Sequence, residues 1–159
     1  MYQPAVDCLA GPADWLDAAA RERGCRDALA DAGLPIVEPR RGDWSSDAGR
    51  RVGADPAALA GATAVFDAND QMALGLVHGF VESGIRVPDD LSVVGFDEMP
   101  EAHHFLPPLT TVRQDFRALG ADSLAALLGA LAGGAATTGH RVIGAQFVVR
   151  ASTAPPPAP

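Results

Sequence analysis

The sequence predicts an α/β fold, a parallel-sheet three-layer sandwich, and three observations carry that expectation. Short apolar runs alternate along the 159 residues with segments whose apolar positions recur every three or four residues. Between Ala64 and Asp97 one such alternation is complete: an apolar run, a helical stretch and a second apolar run ending at Asp97. Gly84 and Pro88 punctuate it where a helix C-cap and a helix stop belong. A crossover this short joins neighbouring parallel strands with right-handed connectivity.

Taken in order, residues 4–10 read as a strand that Gly11-Pro12 breaks. Asp14 is placed to cap a helix running to about Ala32, with Leu16, Ala19, Ala20, Ala28 and Leu29 as its apolar stripe and Gly33 closing it. Residues 34–37 read as a second strand. Gly49, Gly53 and Pro56 interrupt the stretch 40–60, which is expected to hold a broken or shortened helix. Met72, Ala73, Leu76, Val77 and Phe80 mark the buried face of the next helix, and residues 91–96 form a buried strand. Residues 109–113 read as a short strand. A leucine-rich helix follows from about Phe116 to Ala132, then a small-residue turn at 135–139 and a final strand over 141–149. The domain is expected to occupy residues 1–150, followed by a disordered proline-rich tail at 151–159.

With 48% hydrophobic residues, a chain of this length can bury one good core and should form one domain. Twelve Lys and Arg against twenty Asp and Glu give a net charge of −8, which opposes the attraction that drives binding to a phosphate backbone. The chain is therefore not expected to bind DNA by itself. Cys8 and Cys25 fit no metal-ligand spacing. Buried thiols in a reducing cytoplasm are the expectation for them, and a disulfide the less favoured alternative. No apolar run approaches the roughly 18 residues of a membrane span, and no secretory signal is recognisable, so a cytoplasmic location is expected.

The chemistry-bearing residues cluster at strand ends. Asn69 and Asp97 both stand at the carboxyl end of a predicted strand, where ligands gather in sheets of this kind. Two such side chains can grip one small polar molecule; equally, Asn69 is a good helix N-cap and Asp97 a common loop residue, and spacing alone favours the second reading. His103 and His104 are adjacent and lack an i, i+4 partner, so no metal site and no cofactor are expected. No phosphate loop, GxSxG elbow, HExxH or CxxC is present, which leaves an α/β enzyme as a distant alternative.

The stretches ANDQMALG, SGIRVPDDLSVVGFDE and PPLTTVRQDF strongly resemble the LacI/GalR family of sugar-responsive bacterial transcription regulators. The resemblance begins at Leu9-Ala10-Gly11-Pro12, includes Gly42-Asp43-Trp44 and reaches Val149. It implies the C-terminal lobe of a periplasmic-binding-protein-like effector domain, a non-enzymatic sensor of a small polar effector, most readily a sugar. It implies ligand contacts at Arg21 in the first helix, Trp44, Asn69, Asp97 and Phe116, with the Trp44 face set against the C–H face of a sugar ring. A sugar-binding transport protein shares the fold and is the nearest alternative, but should carry a secretory signal.

The resemblance further implies a missing DNA-reading domain, through which alone the protein would meet DNA, and a missing partner lobe. The leucine-rich helix at 116–132 would return to that lobe; without it, self-association and weak ligand binding are expected. The helix after Asn69 has more apolar surface than one core face needs, with Leu74, His78 and Val81 on its flank. Family members pair through this flank and the following loop, so Leu74, His78, Val81, Phe105 and Leu106 are the expected homodimer contacts.

Overall fold

The computed structural model describes residues 5–59, 61–133 and 141–155. Its centre is a six-stranded sheet in the order β2-β1-β3-β4-β5-β6. The strands are β1 (Val6–Ala10), β2 (Arg40–Arg41), β3 (Ala64–Asp67), β4 (Ser92–Asp97), β5 (Thr110–Arg113) and β6 (Gln146–Val148). The first five run parallel, and β6 returns antiparallel along β5. The helices are α1 (Leu16–Asp31), α2 (Ser46–Gly53), α3 (Asp70–Glu82) and α4 (Phe116–Leu131), with short 3₁₀ turns at Pro56–Leu59 and Ala102–His104.

Alternation along each strand sends one set of side chains to each face. Val65 and Val93 enter the main core with Leu9, Met72, Leu76 and Phe80, all at most 1% exposed. Phe66 and Phe96 project to the opposite face and meet edge to face, ring centroids 6.3 Å apart. Parallel order places the carboxyl ends of β1, β3, β4 and β5 along one rim, and the loops that carry the candidate site leave from it.

Helix α3 is held from below by α2 through glycines on both sides of the seam. A Cβ on Gly75 would stand 2.6 Å from the Ser46 carbonyl carbon, and one on Gly79 2.7 Å from the Ala54 nitrogen. Gly49 and Gly53 meet the α3 backbone equally closely. Only residues without side chains let two backbones approach so far. The expected shortening of the helix after Trp44 is present, but these glycines lie inside α2 and serve its packing.

Several expectations need correction. Residues 34–37 form no strand: Pro35 and Pro39 lack the N–H that a ladder needs, and pairing starts beyond them, at Arg40 opposite Leu9. The N-cap of α1 is Trp15, whose side chain makes no capping bond, and Asp14 does not take that role. Cys8 and Cys25 form a disulfide between β1 and α1. The last strand is confined to Gln146–Val148. The tail does not begin at 151, because Ser152 is fully buried, donates to the Val93 carbonyl at 2.6 Å and accepts from the Thr110 amide at 2.8 Å. The turn expected at 135–139 and the tail beyond 155 lie outside the described residues, as does residue 4 of the first expected strand.

Helix α4 buries none of its residues against the rest of the chain. Phe116, Leu119, Leu124, Leu127 and Leu128 are about half exposed and Leu131 more so, which leaves an apolar helix face uncovered by the rest of the chain.

Candidate functional site

Arg21 organises the rim. It projects from α1 across the strand ends, donating from Nη1 to the Ala68 carbonyl at 2.5 Å and from Nη2 to Asp97 Oδ1 at 2.9 Å. Its guanidinium lies 4.1 Å from the centre of the Phe96 ring and 5.6 Å from that of Trp44. A guanidinium partly withdrawn from water gains from both the carboxylate and the ring faces. Gln114, just after β5, donates to the same Asp97 oxygen at 2.8 Å. Both bonds fall on Oδ1, and Asp97 lines the hollow beside Arg21.

Asn69 is the N-cap of α3, as its position predicts: Oδ1 accepts from the Met72 amide at 2.8 Å. Its Nδ2 donates to the Trp44 carbonyl at 3.2 Å, so one side chain ties the start of α3 to the loop before α2. The Trp44 ring lies on Gly11, where a Cβ would stand 2.7 Å from the indole carbon Cζ3 or closer to its neighbours, and Trp15 meets it edge to face at 5.9 Å. The backbone is left-handed at Trp44 (φ 71°), Asp97 (φ 105°) and Glu98 (φ 53°). Non-glycine residues take this conformation at a cost of order 1–3 kcal/mol each, and such residues gather at binding sites.

Arg21, Trp44, Asn69 and Asp97 thus line one hollow of about 220 Å³ together with Trp15 and Asp17. A larger, mostly apolar trough of about 1350 Å³ shares Arg21, Asp17 and Asp97 and runs between α1 and α4 over Phe66 and Phe96, with Phe116 on its wall. The polar chemistry belongs to the smaller hollow, and Phe116 stands to one side of it. Trp15, Asp17 and Gln114 are wall or support residues that sequence reasoning missed. Gln114 lies in the quoted PPLTTVRQDF stretch, which was the available signal for it.

Burial pushes the Asp97 carboxyl above its ordinary range and outweighs the opposing pull of Arg21 and Gln114. Glu98 goes the other way, held down by Arg113, with Arg150 adding a bond at 2.7 Å. Asp70 is raised by burial although it accepts from Thr111 Oγ1 at 2.6 Å and from the Met99 amide at 2.8 Å. Those two bonds fix the start of α3 to β5 and to the loop after β4. Asp67 is completely buried, and burial raises its carboxyl strongly. Among the described residues no cluster of His, Cys, Asp or Glu is arranged to hold a metal ion.

The expected pairing surface divides. Leu74 and Val81 are 39% and 67% exposed on α3, the His78 side chain is open to water, and Leu106 is 86% exposed. Phe105 does not fit: it is 6% exposed and packs in the core of its own chain with Ala102 and Leu109. In this pair of apolar loop residues the second faces outward and the first anchors the loop.

Comparison with known proteins agrees with this architecture. The periplasmic binding protein-like domain family matches residues 8–153. The lactose operon repressor of Escherichia coli (strain K12) is 38% identical over 158 residues, covering 95% of this chain and 42% of the repressor. The structure of a lac repressor dimer bound to operator and the anti-inducer ONPF superposes with a TM-score of 0.87 at 37% identity, over 94% of this chain and 52% of that one. A complex of the transcriptional regulator CelR with cellobiose gives 0.81 at 32% identity, over 92% and 46%. The fold and the family match define a periplasmic-binding-protein-like domain. The chain belongs to the LacI/GalR family of transcription regulators, as part of their effector domain. It spans about two fifths of the length of the lactose operon repressor.

Proposed function

We propose that this chain is the effector-sensing and dimer-forming lobe of a LacI-type regulator, and that its rim hollow holds a small polar molecule, a sugar by preference. The observation that carries the reading is the Arg21–Asp97 pair, flanked by Trp44 and Asn69 in one hollow. Arg21 supplies donors, Asp97 an acceptor and the two indoles apolar faces, the combination that a ring bearing hydroxyls on its edge and C–H groups on its face requires. Phe116, on the wall of the adjoining apolar trough, is assigned to the outer edge of the ligand site. The reading assigns no catalytic role and no cofactor. DNA contact falls to a separate N-terminal domain, in keeping with the net charge of −8. No described helix is long and apolar enough to cross a membrane.

Two copies are proposed to pair through Leu74, His78, Val81 and Leu106. A thermal-shift screen against sugars, nucleosides and purines tests the ligand class, with Asp97→Ala as the control. A stabilising sugar whose effect disappears in Asp97→Ala is expected. Stabilisation that survives in that variant would move the ligand away from this hollow. In a complete regulator the same substitution is expected to abolish induction and leave operator binding intact.

A further inference from the structure

We propose that Cys8 and Cys25 form a redox-responsive clasp that fixes the position of Arg21, so that the oxidation state of this pair sets the competence of the rim hollow. The proposal rests on the ligand-site reading above for its functional meaning, but its structural part stands alone.

Cys25 lies four residues after Arg21 in α1, one turn further along the same face. Its disulfide to Cys8, in the middle of β1, therefore anchors the helix face that carries Arg21 to a strand of the central sheet. Apart from the bonds that Arg21 itself makes to Ala68 and Asp97, little else does so. In α1 only Ala18 and Leu29 are buried, and the helix lacks a side-chain cap at its start. Its link to β2, Glu22 with Arg41 at 2.9 Å, involves a cation 39% exposed, and such pairs contribute little. A helix held by so few buried contacts belongs to the part of a fold that opens most readily.

Arg21 has demanding geometry to keep, since it must reach the Ala68 carbonyl and Asp97 at the same time as it covers the Phe96 ring. The crosslink closes a segment with a sequence separation of 17, and Arg21 lies inside it. Cys25 also lines the trough beside α1, which gives a small oxidant or reductant a path to the sulfur, whereas Cys8 is 7% exposed. These two are the only cysteines of the chain, so no other thiol of the same molecule competes for either. In the oxidising step the two thiols lose two protons and two electrons as the S–S bond forms, and hydrogen peroxide takes them up to leave as two waters. A small dithiol reverses the step by exchange, becoming the disulfide itself.

The test compares the chain treated with hydrogen peroxide and the same chain treated with dithiothreitol, with free thiols counted under denaturing conditions. Hydrogen exchange is then followed over α1, with α3 as an internal control. Loss of both thiols on oxidation is expected, together with α1 amides that exchange at least about tenfold faster after reduction while α3 is unchanged. Cys25→Ser is expected to behave as the reduced protein with or without peroxide; the reduced wild type gives the same information if that variant folds poorly. Two thiols surviving peroxide, or equal α1 exchange in both states, overturns the clasp. D-galactose and cellobiose, titrated into both forms, separate the two readings. Tighter binding of either sugar to the oxidised form supports the coupling, and equal binding to both forms overturns it. If neither sugar binds either form, the coupling to ligand falls with the sugar reading, and the exchange result alone decides whether the clasp holds α1.

Discussion

Replacing Gly75 by alanine tests the seam that positions the rim. In an isolated helix the change is favourable by about 1 kcal/mol, because alanine is the better helix former. Here the new methyl would stand 2.6 Å from the Ser46 carbonyl carbon and 2.8 Å from the Arg50 nitrogen, with the Ser46 oxygen nearer still. Ordinary contact is about 3.5–4.0 Å, and the neighbours are backbone, so the strain is relieved only if α2 and α3 separate along their length. Overpacking of this kind costs 1–3 kcal/mol and occasionally more, so a net loss of about 2 kcal/mol is expected. In urea that lowers the unfolding midpoint by about 1 M at a slope near 2 kcal/mol per M. Gly24→Ala is the control: Gly24 lies within α1 with nothing within 4 Å of its Cβ position, and the substitution should stabilise by about 0.5–1 kcal/mol. If Gly75→Ala is as stable as the wild type, the close approach of α2 and α3 is wrong. The support it gives to Trp44 and Asn69, which begin at the same ends of these helices, would fall with it.

Asp67 should make stability depend on pH. Its folded carboxyl is raised above the unfolded value of about 3.9, so its contribution is fully present below that value and is lost as pH rises toward the folded pKa. Asp67→Asn mimics the protonated form, and urea midpoints at pH 5 and pH 8 are expected to lie closer together than in the wild type, with the gain at pH 8; an unchanged difference would show that Asp67 is not the source. Leu74→Asp is expected to lower the mass measured by light scattering, because it places a charge in the proposed α3 pairing surface. An unchanged dimer would shift association to α4, and a monomeric wild type would refute both surfaces.

Local patterning carried much of the fold. The Asn69 cap, the α3 core stripe and Gly84, whose φ is 78° at the helix end, were legible because each depends on a few neighbouring residues. Apolar character at 34–37 suggests a strand, but Pro35 and Pro39 withhold N–H groups that a ladder needs, so β2 forms beyond them. Gly49 and Gly53 read as interruptions because a sequence does not show which backbone lies opposite. Asp70 illustrates the same limit, since its partners Thr111 and Met99 are distant in sequence. The position of Arg21 was legible only through resemblance; on composition alone its helix face is one of many charged faces. Phe105 failed because two adjacent apolar residues in a loop do not reveal which of them turns inward. Cysteine usage speaks only to compartment, whereas the pairing of Cys8 with Cys25 depends on how α1 packs on β1.

The claim that Arg21, Trp44, Asn69 and Asp97 form one ligand site is tested most directly by nuclear magnetic resonance of the labelled chain during titration with monosaccharides and disaccharides. The Arg21 Nε–H, Trp44 indole N–H and Asn69 side-chain amide signals are expected to shift together along one saturation curve, while Leu74 and Val81 on the far flank of α3 stay fixed. A sugar that saturates the chain while shifting signals only outside these side chains would contradict the site.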